Sequence, residues 1–417
     1  MSSILYTLLI SLNRSFTFLR QRINLWFVTK VLLIIPIVAL HFNVGLANNY
    51  YVNASTGSNS SGNGSQSSPW KTITFALSNI SGSGHTITVA AGTYNSALGE
   101  TFPILMKNGV SLVGAGMDIS IIDAASSNIV LRCVSIVDPA TRVEGFTIKG
   151  GKVTASSSAG AGMFISAGST LKISNNKIIG NINGSVGKGG GLYLENSSPW
   201  IFNNTISGNS AGSSGDGAGI YITNGSPVIE GNRIVNNTSG NYSYGGGVYI
   251  TGSTSAPRIM NNLIVKNPEG GIICENSCKP RIINNTICEN AGHGIMISSA
   301  MPDTIMNNIL SLNTGYGIYE GWTTSDPGKV WYNLFYANNS GVYRDEGATD
   351  YYTVNTLHAS VSECKYNIEG DPLFTDKTNE DYHEQLGSPA IDAGDPGFSY
   401  ANEPSPNGSR VNIGAYG

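Results

Sequence analysis

Between residues 171 and 311 one short phrase returns six times, and this repetition constrains the fold more than any other feature of the chain. It reads Trp200-IFNNTI-Ser207 in one copy and Arg281-IINNTI-Cys288 in another, and each copy is anchored on an Asn: Asn176, Asn204, Asn232, Asn262, Asn285 and Asn308. The anchors are 28, 28, 30, 23 and 23 residues apart. Three positions before each stands Ile (Ile173, Ile201, Ile229, Ile259, Ile282, Ile305), and two positions after it stands Ile178, Ile206, Ile234, Ile264, Ile287 or Leu310. A weaker copy centres on Asn333.

A period this short, made of β-rich stretches and polar turns, is below that of a propeller blade and lacks the leucine-and-helix signature of a horseshoe. It fits one coil of a parallel β-helix, in which each strand pairs with its equivalent about 4.8 Å away in the next coil and identical residues stack in columns. The Ile columns then form the interior. The anchor Asn is expected at a turn, bonding to backbone and to the next Asn, where left-handed geometry is tolerated. A second strand follows each anchor, as in Gly219-IYI-Thr223 and Gly247-VYI-Thr251. Alternation points Leu192, Ile220, Val248, Ile272, Ile295 and Ile318 inward, followed by Leu194, Ile222, Ile250, Cys274 and Ile297. Glu320 takes the same slot in the next coil, where the regular core is expected to end or to open to solvent.

Composition agrees. The 417 residues include 52 Gly and only 12% are charged, against about 25% in ordinary domains. With 40% hydrophobic residues the chain is not of a disordered type, and the wealth of Gly and Asn argues against a helical bundle. Residues 1–47 hold four basic residues and no acid, and beyond them 19 basic face 27 acidic residues, so nucleic acid is a poor partner. The run Val31–Leu40 followed by Ala47 reads as the apolar core and small-residue cleavage site of a signal peptide spanning 1–47, which predicts a secreted or cell-surface product touching a membrane only if that segment is retained. Of five cysteines, Cys274 and Cys278 are spaced to close a small loop, with a plain core role for Cys274 as the favoured reading.

The pattern resembles the pectin-lyase-like right-handed parallel β-helix superfamily. Tyr50 to Met117 is similar to the domain of unknown function that opens many secreted bacterial β-helix proteins, with Pro69–Ile80 implied as a short capping helix that buries Ile73, Ala76, Leu77 and Ile80. Gly370-DPLF-Thr375, Gly387-SPAIDAGDP-Gly397 and Asn407-GSRVNIGAY-Gly417 look like the closing segment of such proteins. The expected architecture is therefore all-β, with a cap and first coils over 48–120, solenoid coils of about 23–30 residues over 121–345 and an irregular closing segment over 346–417. The fold hosts lyases, hydrolases, epimerases, tailspikes and adhesins, so function must be read from particular residues.

Gly292-His293-Gly294 looks like the histidine motif of polygalacturonases, but the paired carboxylates that a hydrolase requires are missing, and the same Gly-x-Gly frame recurs throughout the repeat. Arg258 and Arg281, one coil apart, are the candidate bases of a lyase, a reading that brings calcium as its metal but lacks the acidic cluster to hold it. Asp371, Asp392 and Asp395 are expected to shape turns, a structural cation being the alternative. The outward position of the second strand reads Tyr193, Tyr221, Tyr249, a ladder flanked by longer loops carrying Lys188, Asp216, Tyr242 and Tyr244. This predicts a groove floored by tyrosine faces that binds polysaccharide without strong catalysis and without an organic cofactor. The alternatives are the lyase and a structural adhesin or spacer, in which the tyrosines only stabilise the sheet.

Overall fold

The computed structural model describes residues 47–154, 160–240, 245–401, 403 and 408–417; the signal-peptide reading falls outside them but for Ala47. The chain winds as a right-handed parallel β-helix with three sheets of 12, 11 and 11 strands. Strands that precede an anchor Asn, such as Arg258–Met260, form sheet 1; those that follow it, such as Leu263–Val265, form sheet 2; and those such as Val248–Thr251 form sheet 3. Register holds from coil to coil, with Ile201 on Ile229, Ile229 on Ile259 and Ile259 on Ile282. The predicted inward columns, Cys274 included, are fully buried.

Two asparagine ladders turn the corners. In the first, Asn262 Nδ2 donates to Asn285 Oδ1 at 3.0 Å and Asn285 Nδ2 to Asn308 Oδ1 at 3.0 Å, and the series continues through Asn333 to Asn367. The second, from Asn181 to Asn338, stands five residues after each anchor at the corner between sheets 2 and 3. The left-handed residue is not the anchor but its predecessor, at φ 54° for Asn175 and φ 55° for Asn261. The division of labour is physical: the predecessor turns the chain, which leaves the anchor's side chain pointing inward to satisfy buried backbone.

Both ends are closed, as an exposed coil would present apolar surface and unpaired edges. At one end α1 (Ile73–Asn79) is shorter than the Pro69–Ile80 expected, because Thr72 is its N-cap, but it buries the residues foreseen. Glu100 reaches its first turn, accepting from the amides of Ile73 at 2.5 Å and Thr74 at 2.9 Å. At the other end the helix does not open at Glu320. That side chain is only 2% exposed and accepts the hydroxyl hydrogen bond of the fully buried Tyr343; a further strand, Gly341–Asp345, pairs with its own, and α2 (Val354–Ser360) buries Val354 and Leu357 in the same core. The segment after residue 370 then runs back along the corner between sheets 1 and 2: Asp395 N donates to Asn307 Oδ1 at 2.9 Å, Ala415 N to Thr286 Oγ1 at 3.0 Å, and Asn261 Nδ2 to Gly417 O at 3.2 Å.

Candidate functional site

Sheet 3 carries the tyrosines in one outward column, with Tyr193 opposite Tyr221 and Tyr221 opposite Tyr249. Their rings stack with centroids 5.2 and 5.1 Å apart and planes within 8°, and Phe164 extends the stack at 5.6 Å. The open floor expected from the sequence is corrected here: the three rings are 5%, 3% and 5% exposed. Each ring covers the face of the next, and backbone at Gly189, Gly217 and Gly245 lies close against the column. A Cβ on Gly217, whose φ is +62°, would sit 2.9 Å from that of Tyr249, so the glycines of the repeat bring backbone down onto the column.

Lys188 Nζ donates to the Tyr221 hydroxyl at 3.0 Å, and Glu275 accepts from that of Tyr249. Burial and the carboxylates of Asp216 and Glu275 push the Tyr221 and Tyr249 phenols above their usual range. Tyr242 and Tyr244 lie outside the described residues. These contacts belong to a packed layer, so Tyr249→Phe is expected to lower stability by about 1–2 kcal/mol through the lost hydrogen bond to a carboxylate. Urea unfolding reads this directly; an unchanged midpoint would mean that the bond contributes nothing. Further along the same sheet His293 accepts the Tyr316 amide at Nδ1 (3.0 Å) and stacks on Tyr319 at 4.3 Å. Burial, with the charge of Arg344, lowers its pKa to about 4, which keeps the ring neutral near neutral pH.

Sheet 1 presents the opposite character. Its outward column runs Lys172, Trp200, Val228, Arg258, Arg281 and Thr304 in unbroken register. Trp200 is 38% exposed and lies against Phe202 at 4.4 Å; its Nε1 donates to Glu230 at 3.3 Å, and Lys172 Nζ sits 5.6 Å from its ring centroid. Arg258 and Arg281 are both exposed. Arg281 meets Asp303 at 3.5 Å, and Arg258 has no carboxylate within ion-pair range among the described residues. The returning C-terminal segment forms a wall. Beside it a cavity of about 480 Å³ is lined by Trp200, Phe202, Glu230 and Tyr416, and a second of about 440 Å³ by His383, Glu384, Glu403 and Tyr416. Burial raises the Glu384 carboxyl to about 7.

Trp200 was legible but passed over: it occupies the slot before the invariant Ile that other coils fill with Lys, Val, Arg or Thr. Asp371 and Asp395 shape turns as expected, accepting from the amides of Leu373 and Gly397 two residues on at 2.9 and 2.8 Å, whereas Asp392 accepts from the distant amides of Ser409 and Arg410 at 2.7 and 3.1 Å and ties two stretches of the closing segment together. Among the described residues no three His, Cys, Asp or Glu side chains converge, so they do not fit calcium or another cation held by such a set.

The sequence matches the family model described as protein of unknown function DUF1565 over residues 55–279, and that of the periplasmic copper-binding protein NosD over residues 236–374. No curated protein matches it. Among solved structures, pectate lyase Pel9A is similar at 15% identity and a TM-score of 0.55, covering 89% of this chain and 96% of that one. The A-module of the Azotobacter vinelandii mannuronan C-5 epimerase AlgE6 is similar at 14% identity and a TM-score of 0.36, covering 71% and 93%.

Proposed function

The chain belongs to the DUF1565 family, and from that premise we propose that it is an extracytoplasmic protein that binds acidic polysaccharide along the outer face of sheet 1 without cleaving it. The observation that carries this reading is the outward column of sheet 1, in which Lys172 and Trp200 stand on neighbouring coils about 4.8 Å apart, Arg258 and Arg281 on another neighbouring pair, and Val228 on the coil between Trp200 and Arg258. An indole face packs against the C–H face of a sugar ring, and guanidinium groups take carboxylates in paired hydrogen bonds. A uronic acid chain presents both in alternation. The wall formed by the C-terminal segment limits how such a chain lies, and Tyr416 adds a second aromatic edge beside Trp200. The pectate lyase among the structural relatives fits a sugar polymer as partner, while among the described residues no cluster of carboxylates stands beside the arginines of sheet 1 to hold calcium.

Calorimetry of residues 48–417 with polygalacturonate and with alginate tests the reading. Binding is expected to weaken at least tenfold in Trp200→Ala and in the Arg258→Ala/Arg281→Ala pair, and to fall with added salt because the arginines act through charge. Undiminished binding in both variants would overturn the placement. Absence of binding by the native chain would overturn the function in favour of a scaffold or adhesin, and release of unsaturated uronate would put the lyase in its place.

A further inference from the structure

In one coil, and in that coil alone, two inward columns change to cysteine together. Cys274 stands where its neighbours hold Ile250 and Ile297. Cys278 stands at the turn position that other coils fill with a small buried residue, Ser197, Ser255 or Ala300. Cys133 supplies a contrast: it shares the column of Cys274, but its own turn carries Ile136. Between the pair, Asn276 and Ser277 both adopt left-handed backbone, at φ 53° and 62°, and the Cys278 amide bonds back to Glu275 O at 3.4 Å. Two such residues in succession reverse the chain, so both side chains enter the same interior, where both are fully buried. The Cys278 thiol lies 3.6 Å from Ile250 O in the coil below and is a hydrogen-bonding neighbour of the Cys274 thiol.

We propose that Cys274 and Cys278 are an oxidation site that takes an intramolecular disulfide as the chain folds, stapling the turn of the first short coil. The oxidant is a disulfide of low molecular weight or one carried by a dithiol protein. The Cys278 thiolate attacks one sulfur of that donor and expels the other as a thiolate. Cys274 then attacks the mixed disulfide and expels the second, so two protein thiols are oxidised, one donor disulfide is reduced, and two protons pass to the released thiols. Complete burial closes the finished coil to such a donor, so exchange precedes packing of this turn. The place has a structural logic. Asn232 to Asn262 is the 30-residue coil and Asn262 to Asn285 the 23-residue one, so the staple lies where the long loops stop, next to the Glu275 that holds Tyr249.

The test is refolding of residues 48–417 in mixed oxidised and reduced glutathione, followed by denaturation, alkylation without reduction and peptide mass mapping. Three alkylated cysteines of five are expected, with positions 274 and 278 in one cross-linked peptide. Cys274→Ile and Cys278→Ser each install the residue that adjacent coils already hold, so both should fold, and each should show all four remaining cysteines alkylated. Five alkylated cysteines in the native chain, or a cross-link that includes Cys133, Cys288 or Cys364, would overturn the proposal. The outcome is independent of whether sheet 1 binds a sugar.

Discussion

Asn285→Leu is expected to destabilise the protein by about 4 kcal/mol. The size follows from what the amide satisfies. Its Nδ2 donates to Ile259 O at 2.9 Å, to Ile283 O at 3.0 Å and to Asn308 Oδ1 at 3.0 Å, while its Oδ1 accepts the backbone and side-chain N–H groups of Asn262, each at 3.0 Å. The residue is fully buried, so no water replaces these partners. Leucine fills the space but leaves the Asn262 backbone N–H without its acceptor and Ile259 O without its side-chain donor, each costing about 1–3 kcal/mol before the neighbours relax, whereas Asn262 Nδ2 keeps Ile229 O and Met260 O, Ile283 O keeps the Asn261 amide, and Asn308 Oδ1 keeps the backbone amide of residue 285. The loss also interrupts a ladder whose members polarise one another, so the flanking coils should share it. Urea unfolding gives the magnitude, and hydrogen exchange gives the location: the amide of Asn262, whose acceptor is Asn285 Oδ1, should lose protection first. A change below about 1 kcal/mol would mean that the ladder is a passive consequence of the stack and not a cause of it.

The second large effect concerns Glu320 and depends on pH. Burial raises its carboxyl to about 8, with Asp345 and Glu363 adding repulsion and the Tyr343 hydroxyl opposing it; Cys364 packs nearby with its own thiol pushed up. In the unfolded chain the same carboxyl titrates at 4.5. The folded state therefore holds the proton over a range in which the unfolded state has released it. The group's contribution to stability is complete below about pH 4.5, falls as pH rises, and is gone above about pH 8. Glu320→Gln keeps the shape and removes the charge, so it should match the native chain in acid and exceed its stability by on the order of 5 kcal/mol at pH 9. Parallel melting curves of the two proteins across pH 4 to 9 measure the gap; a difference independent of pH would show that the carboxyl is not ionising in the core.

Much of this architecture can be read from the repeat because columns force identity. Each inward Ile stacks on its equivalents above and below within one shared core, so the period and the inward positions follow from the residues alone. The second asparagine ladder was open to the same argument, since Asn181, Asn209, Asn237, Asn267, Asn290, Asn313 and Asn338 each stand five residues after an anchor. What alternation does not disclose is what covers an outward residue. Tyr221 and Trp200 are both outward by pattern, yet one is 3% and the other 38% exposed. The difference lies in loop backbone around Gly189, Gly217 and Gly245 settling onto the tyrosines, and in a C-terminal segment that passes beside Trp200 without covering it. Glu320 misleads for a related reason: a charged residue in a core slot reads as the end of the core unless the next coil and its Tyr343 are known to seal it.

The returning segment also sets an order of assembly. Most contacts in the solenoid join residues one coil apart, so coils can be added one after another like links closing in a zip, each at a small entropic cost. The bonds from Asn307 to Asp395, from Thr286 to Ala415 and from Asn261 to Gly417 span 88, 129 and 156 residues. They run against the direction of growth and form only when the coils beneath them are already in place. Folding should therefore show a rapid phase of coil addition followed by a slower docking phase, and the wall beside Trp200 should be the last part of the molecule to form and the first to detach.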